Sequence, residues 1–185
     1  LSLEESLSLL DAVKNDTESK NVERDYAIIT LFLNCGMRVS ELVGINLNDI
    51  QRDMTSLRVT GKGAKERMIY LNDACRAALS DYLPLRMKEE AAFDKPQKAL
   101  FLSSRKNRIS VKTVQWMVYK YLDDAGLGGR HLSVHKLRHT AATLMYQQGG
   151  VDVRGLKEIL GHEQLNTTQI YTHVSDRGME EAMNK

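Results

Sequence analysis

The sequence predicts a mostly helical domain with a small antiparallel β-sheet, an α+β fold. Three observations predict it. Capped apolar runs at helical spacing fill the opening part of the chain, and two β-rich runs flank a glycine-bearing turn further on. From Ser110 onward the pattern returns to helix. At 185 residues the chain fits one domain that can bury a real core. Its 42% apolar and 27% charged content is that of a globular chain rather than a disordered or membrane one.

The first helix is signalled by Ser2-Leu3-Glu4-Glu5, which has the spacing of a capping box, followed by Leu7, Leu9, Leu10 and Val13. Tyr26-Ala27-Ile28-Ile29-Thr30-Leu31-Phe32-Leu33 is apolar around most of a helix and is expected at the buried centre, with Gly36 ending it. Ser40-Glu41-Leu42-Val43 begins a short helix. Leu57-Arg58-Val59-Thr60 and Glu66 to Leu71 read as strands joined through Gly61-Lys62-Gly63-Ala64-Lys65, a hairpin. Asn72 can cap a long helix reaching about Glu90, which Asp94-Lys95-Pro96 ends. Leu100-Phe101-Leu102 is expected to return as a strand. Helices then follow to about Gly126, from His135 to Gln148, from Val153 to Leu160, and around Tyr171, with a last segment closing the chain.

No run approaches the roughly 18 apolar residues of a membrane span. Two cysteines, Cys35 and Cys75, lie inside apolar helical patterns and read as small core residues of a reducing, cytoplasmic compartment. Leu1 opens directly into a helix signal, so the expectation is a chain whose N-terminal part forms a separate domain. The formal charge is only +2, but the basic residues are clustered. They gather at Arg58, Lys62, Lys65 and Arg67, at Arg105, Lys106, Arg108 and Lys112, and at Arg130, His131, His135, Lys136 and Arg138. If these segments converge they form a phosphate-binding face; if not, they are three solvated surfaces.

Breaking a phosphodiester requires cations at the non-bridging oxygens, a nucleophile, and an acid for the departing oxygen. Arg38 follows the glycine stop of the buried helix, a rigid place from which to present a side chain. His135 and Arg138 stand three apart on one helical face. His135 and His139 also have an i, i+4 spacing that can bind zinc, but Lys136 occupies the position where a metalloprotease carries glutamate. Lys62 between two glycines is an exposed turn lysine able to enter a groove or protonate a leaving alkoxide. The same glycines lack the spacing and the Ser/Thr of a P-loop. Leu160-Gly161-His162 precedes Tyr171, whose phenol needs a cationic pocket or a base to act as a nucleophile.

Together these motifs resemble the tyrosine recombinase/integrase family, and its Xer-type members in particular. The likeness rests on Cys35-Gly36-Met37-Arg38-Val39-Ser40-Glu41-Leu42, Val59 to Arg67, His135-Lys136-Leu137-Arg138-His139-Thr140-Ala141, Leu160-Gly161-His162, and the segment ending Tyr171-Thr172-His173-Val174. These motifs span nearly the whole chain in family order.

The resemblance implies the tyrosine recombinase catalytic-domain fold, with the family's N-terminal core-binding domain outside this chain. It implies that Arg38 and Arg138 clamp a DNA phosphate, that Lys62 is the general acid, and that His135 assists proton transfer. His162 would hydrogen-bond the phosphate, and Tyr171 would form a 3′-phosphotyrosyl bond. Glu41 would support the site. No cofactor, metal or ATP is expected. The expected partners are a double-stranded DNA recombination site and further copies of the protein, as a tetramer on DNA joined through 174–185. Gln147-Gln148-Gly149-Gly150 is one residue longer than the family's usual linker, a local loop change. The alternatives are a DNA-binding module of the same fold that does not cleave, and a metal-dependent nuclease.

Overall fold

The computed structural model describes residues 1–140. The elements, in order, are α1 (Leu3–Lys14), α2 (Val22–Cys35), α3 (Val39–Val43), β1 (Ser56–Thr60), β2 (Glu66–Tyr70), α4 (Asp73–Glu90) and α5 (Val111–Asp124). A sixth helix, α6, begins at residue 134 and is helical through 140. The fold is mostly helical with a small antiparallel sheet, as the sequence predicts. The later helices, His162, Tyr171, the 147–150 linker and the 174–185 tail expected from the sequence lie outside the described residues.

Each helix start has its local cause. Ser2 accepts from the Glu5 N–H at 3.1 Å while Glu5 Oε1 accepts from the Ser2 N–H at 2.9 Å, the reciprocal capping box. Asn72 and Ser110 cap α4 and α5 by accepting from the N–H groups of Cys75 and Thr113. Gly36 ends α2 in the left-handed region, at φ 64°, where a side chain would be strained. Helix α2 forms the centre: Ala27, Ile28, Ile29, Leu31 and Phe32 are fully buried. It packs on α1 and α4, while α5 packs on α1 and α3.

The hairpin pairs β1 with β2 in antiparallel register, Leu57 opposite Ile69 and Val59 opposite Arg67. Among the described residues the sheet has these two strands, and the expected strand at Leu100-Phe101-Leu102 is a correction. The segment is buried, but side chains take the oxygens of Leu100, Leu102 and the preceding Ala99, and Phe101 O accepts from the Ile109 N–H at 3.0 Å without a continuing ladder. The Tyr82 hydroxyl donates to Leu100 O, Arg86 to Ala99 O, and Arg24 to Leu102 O. Single bridges, Asn46 with Ala99 and Leu102 with Arg108, replace a ladder.

Arg86 is the anchor of this segment. It is fully buried, donates to Ala99 O at 3.0 Å and Gln97 O at 2.8 Å, and pairs with Glu90 at 2.7 Å. Arg86→Ala is therefore expected to cost about 3 kcal/mol of unfolding free energy, because buried carbonyls lose their donors. Urea titration checks this, and a cost below about 1 kcal/mol would mean that those carbonyls find other partners.

Candidate active site

The turn at Gly36 delivers Arg38 to the surface of the core. Its N–H donates to Glu41 Oε1 at 2.9 Å, which fixes the start of α3. Across from it, α6 presents Arg138, 3% exposed, whose Nε donates to Gly36 O at 2.8 Å. The second arginine is thus seated on the turn that carries the first. Buried Leu137 turns the other face of α6 into the core.

Arg38, His135 and Arg138 line one cleft of about 350 Å³. Helix α5 adds Gln115 and Tyr119 to its wall. That wall is held in place from behind. Asp16, in the α1–α2 loop, accepts from Lys120 at 2.7 Å and from the Tyr121 hydroxyl at 2.8 Å. Lys120 and then Tyr121 hold the Asp16 carboxyl well below the usual carboxylate range. Burial, reinforced by Asp16, pushes the Tyr121 phenol up.

The electrostatics favour an anion. Burial, and next the neighbouring Arg38 guanidinium, push Arg138 down to about 10, so it remains charged at neutral pH with a like charge beside it. An anion between two such groups relieves that repulsion. Glu41 is the local counter-charge. Burial pushes its carboxyl up, but hydrogen bonds from Arg67 and the Arg38 N–H outweigh this, and it titrates below its ordinary value.

Lys62 sits where the sequence places it, exposed in the turn Lys62–Ala64, with Gly63 at φ 74°. It is on the hairpin and not among the cleft-lining residues. Several members of the basic segments are committed to partners within the fold. Arg58 pairs with Asp49 at 2.9 Å, Lys106 with Glu89 at 2.6 Å, and Arg130 with Glu5. Arg108 donates to Val43 O at 2.9 Å. Much of that charge holds the fold together, and the cationic site is the smaller set around the cleft.

Sequence reasoning counted Arg67 among the clustered cations without giving it a role, and did not single out Gln115 and Tyr119. Gln115 and Tyr119 stand on α5 opposite the buried stripe of Val114, Val118, Tyr121 and Leu122, a polar face that the helical period marks but does not assign. Arg67 breaks the apolar alternation of its strand, which is the signal that was available.

His135 Nε2 lies 3.1 Å from His139 Nε2, the rings edge to face. Among the described residues no group of three or more His, Cys, Asp and Glu is placed to hold a metal ion. Burial first, then His135 and Arg138, hold His139 below its ordinary value of 6.5. The folded chain binds this proton less readily than the unfolded chain does. Stability from this group is therefore complete above that value and is lost as the pH falls through it. Tm is expected to drop between about pH 7.5 and pH 5.5, and to drop less in His139→Gln. Equal slopes in the two proteins would remove His139 as the source.

A helical domain that seats two arginines and a histidine around one cleft, beside a lysine-bearing hairpin, has the architecture of a tyrosine recombinase catalytic domain. The chain belongs to the phage integrase family, whose model matches residues 1–177. Its similarity is to Xer-type tyrosine recombinases. It is 60% identical over 185 residues to the tyrosine recombinase XerC of Caldanaerobacter subterraneus subsp. tengcongensis, covering 100% of this chain and 50% of that protein. It is 44% identical over 177 residues to XerC of Corynebacterium glutamicum, covering 95% of this chain and 55% of that one.

Among solved structures, XerA recombinase superposes with a TM-score of 0.78 at 33% identity, over 98% of this chain and 62% of that one. XerH site-specific recombinase, bound to its difH substrate before cleavage, gives 0.77 at 28% identity, over 98% and 52%. The chain spans about half the length of the curated relatives it matches. No helix among the described residues is long and apolar enough to cross a membrane.

Proposed function

We propose that the protein carrying this chain is a site-specific DNA recombinase that cleaves and rejoins strands through a 3′-phosphotyrosyl intermediate, without metal or ATP. The observation that carries this reading is the pairing of Arg38 with buried Arg138 at one cleft: two cations held together against their repulsion, as a phosphate site requires. The relatives named XerC and the XerH structure bound to difH support DNA as the partner.

In this reading Arg38 and Arg138 neutralise the two non-bridging oxygens of the scissile phosphate, and His162 adds a hydrogen bond there. The Tyr171 oxygen attacks phosphorus, its proton passing to His135, and the bond from phosphorus to the 5′-oxygen breaks. Lys62 gives its proton to that oxygen. The phosphotyrosyl bond conserves the energy of the broken linkage, so a 5′-hydroxyl from another strand can attack it and rejoin without ATP. Fixed side-chain cations supply the charge that a metal ion would otherwise provide. Glu41 holds the Arg38 backbone. The active form is a tetramer on a double-stranded recombination site, its copies linked through 174–185, and it works in the cytoplasm.

The test is a nicked suicide duplex, selected from a pool of candidate recombination sites and incubated with the protein in chelator. A protein–DNA adduct on a denaturing gel is expected. DNA binding with no adduct would instead favour a non-cleaving module of the same fold, and cleavage abolished by the chelator would favour a metal-dependent nuclease.

A further inference from the structure

Arg67 occupies a position that an apolar residue would fill. Along the hairpin, Leu57, Val59 and Ile69 form the buried face, and the register sets Arg67 opposite Val59 on that same face. Its side chain is 17% exposed and meets the 5% exposed carboxylate of Glu41, donating from Nε at 3.2 Å and from Nη2 at 3.0 Å. A buried ion pair of this kind adds little stability over well-packed apolar side chains of similar volume. What it does supply is geometry, because two N–H groups on two oxygens fix angle as well as distance.

The same carboxylate oxygen that accepts from Arg67 Nη2 also accepts from the Arg38 N–H, at 2.9 Å. Glu41 therefore ties the hairpin to the segment that presents the first phosphate-clamping arginine. The tip of the hairpin lies against it too. A Cβ placed on Gly61 would stand 3.4 Å from Glu41 Oε2, and the Gly61 N–H closes the turn on Lys65 O at 2.7 Å. Lys62 is the next residue, long, exposed and set in a single short 3-10 turn, Lys62–Ala64, at the tip of the hairpin.

We propose that Arg67 is a positioning residue for Lys62, its fork on Glu41 holding the lysine-bearing hairpin in register with the arginine clamp. The proposal rests on the recombinase reading above and deepens it. Arg67 does not touch the reacting atoms. It acts on one step only: as the Tyr171 oxygen–phosphorus bond forms and the phosphorus–5′-oxygen bond breaks, the proton from Lys62 must arrive at that departing oxygen.

Because the role is confined to the leaving group, it can be separated from damage to the fold. A scissile phosphate with sulfur in the 5′-bridging position expels a thiolate, whose conjugate acid has a pKa of about 8.5, and needs no proton to leave. Adduct formation by wild type, Lys62→Ala, Arg67→Ala and Arg67→Met is followed in single turnover on the suicide duplex, with oxygen or sulfur at that position. The methionine variant refills the buried face with an apolar side chain.

On the oxygen substrate both Arg67 variants are expected to slow by roughly 10²-fold, as losing a general acid does. On the sulfur substrate they are expected to recover to within a few-fold of wild type, as Lys62→Ala does. Equal losses on both substrates in both Arg67 variants would overturn the proposal, as would full rates on oxygen. Rescue of Lys62→Ala without rescue of Arg67→Ala and Arg67→Met would leave the recombinase reading standing and overturn the role of Arg67. No adduct from wild type on either substrate would overturn both.

Discussion

Tyr171→Phe is expected to abolish the covalent protein–DNA adduct while leaving DNA binding intact. The change removes one oxygen and keeps the ring, so packing around it and contacts to the DNA backbone persist. A free phenol has a pKa of about 10, and only about one in a thousand is ionised at neutral pH. A tyrosine that attacks phosphorus therefore needs strong positive surroundings, and in the proposed mechanism the paired guanidiniums of Arg38 and Arg138 supply them. No other atom of the ring can form the ester. An adduct that survives the change at wild-type yield would dismiss Tyr171 as the nucleophile. Binding lost together with the adduct would show that the hydroxyl serves the fold or the DNA contact.

The second large effect is expected at the clamp. Arg38→Ala and Arg138→Ala should each slow adduct formation by roughly 10²–10³, the usual scale for one lost transition-state donor in a water-poor site. The two differ in their effect on stability. Arg38 is half-buried, and its backbone contact with Glu41 survives truncation of the side chain. Arg138 is buried and donates to Gly36 O, so its loss also leaves that carbonyl without this donor. Arg138→Ala should therefore lower Tm as well as rate, and Arg38→Ala chiefly rate. Single-turnover cleavage beside thermal melts separates the two. Wild-type cleavage in either variant would remove that arginine from the clamp.

The paired arginines were legible as candidates because each stands beside a local signal, one after a glycine stop and one on a helical face shared with His135. Their seating on one another was not legible. Arg138 reaches Gly36 across 102 residues of chain, and nothing in either segment encodes that approach. Nor does the charge pattern reveal which cations are committed elsewhere. Arg58, Arg108 and Arg130 look alike in a list of basic residues, yet they answer to Asp49, to backbone carbonyls and to Glu5.

Elements were readable wherever their cause lies within one turn of chain. The Ser2–Glu5 box, the Asn72 and Ser110 caps, the Gly36 stop and the glycine hairpin all act between residues at most a few positions apart, so a short window contains the whole interaction. Leu100-Phe101-Leu102 failed for the complementary reason. Its composition suits a strand, but a strand needs a neighbour, and here Tyr82 and Arg24 reach its Leu100 and Leu102 carbonyls from two helices, with Arg86 on Ala99 O just before it. Arg67 shows the same division. The alternation of its strand set which face it occupies, whereas only packing chose Glu41, 26 residues away, as its partner. By itself the sequence determined the described helices, the hairpin and the list of ionisable side chains, because those follow from local backbone and side-chain preferences. The tertiary structure alone decided which charges meet, because burial removes water and lets a distant partner outweigh every local one.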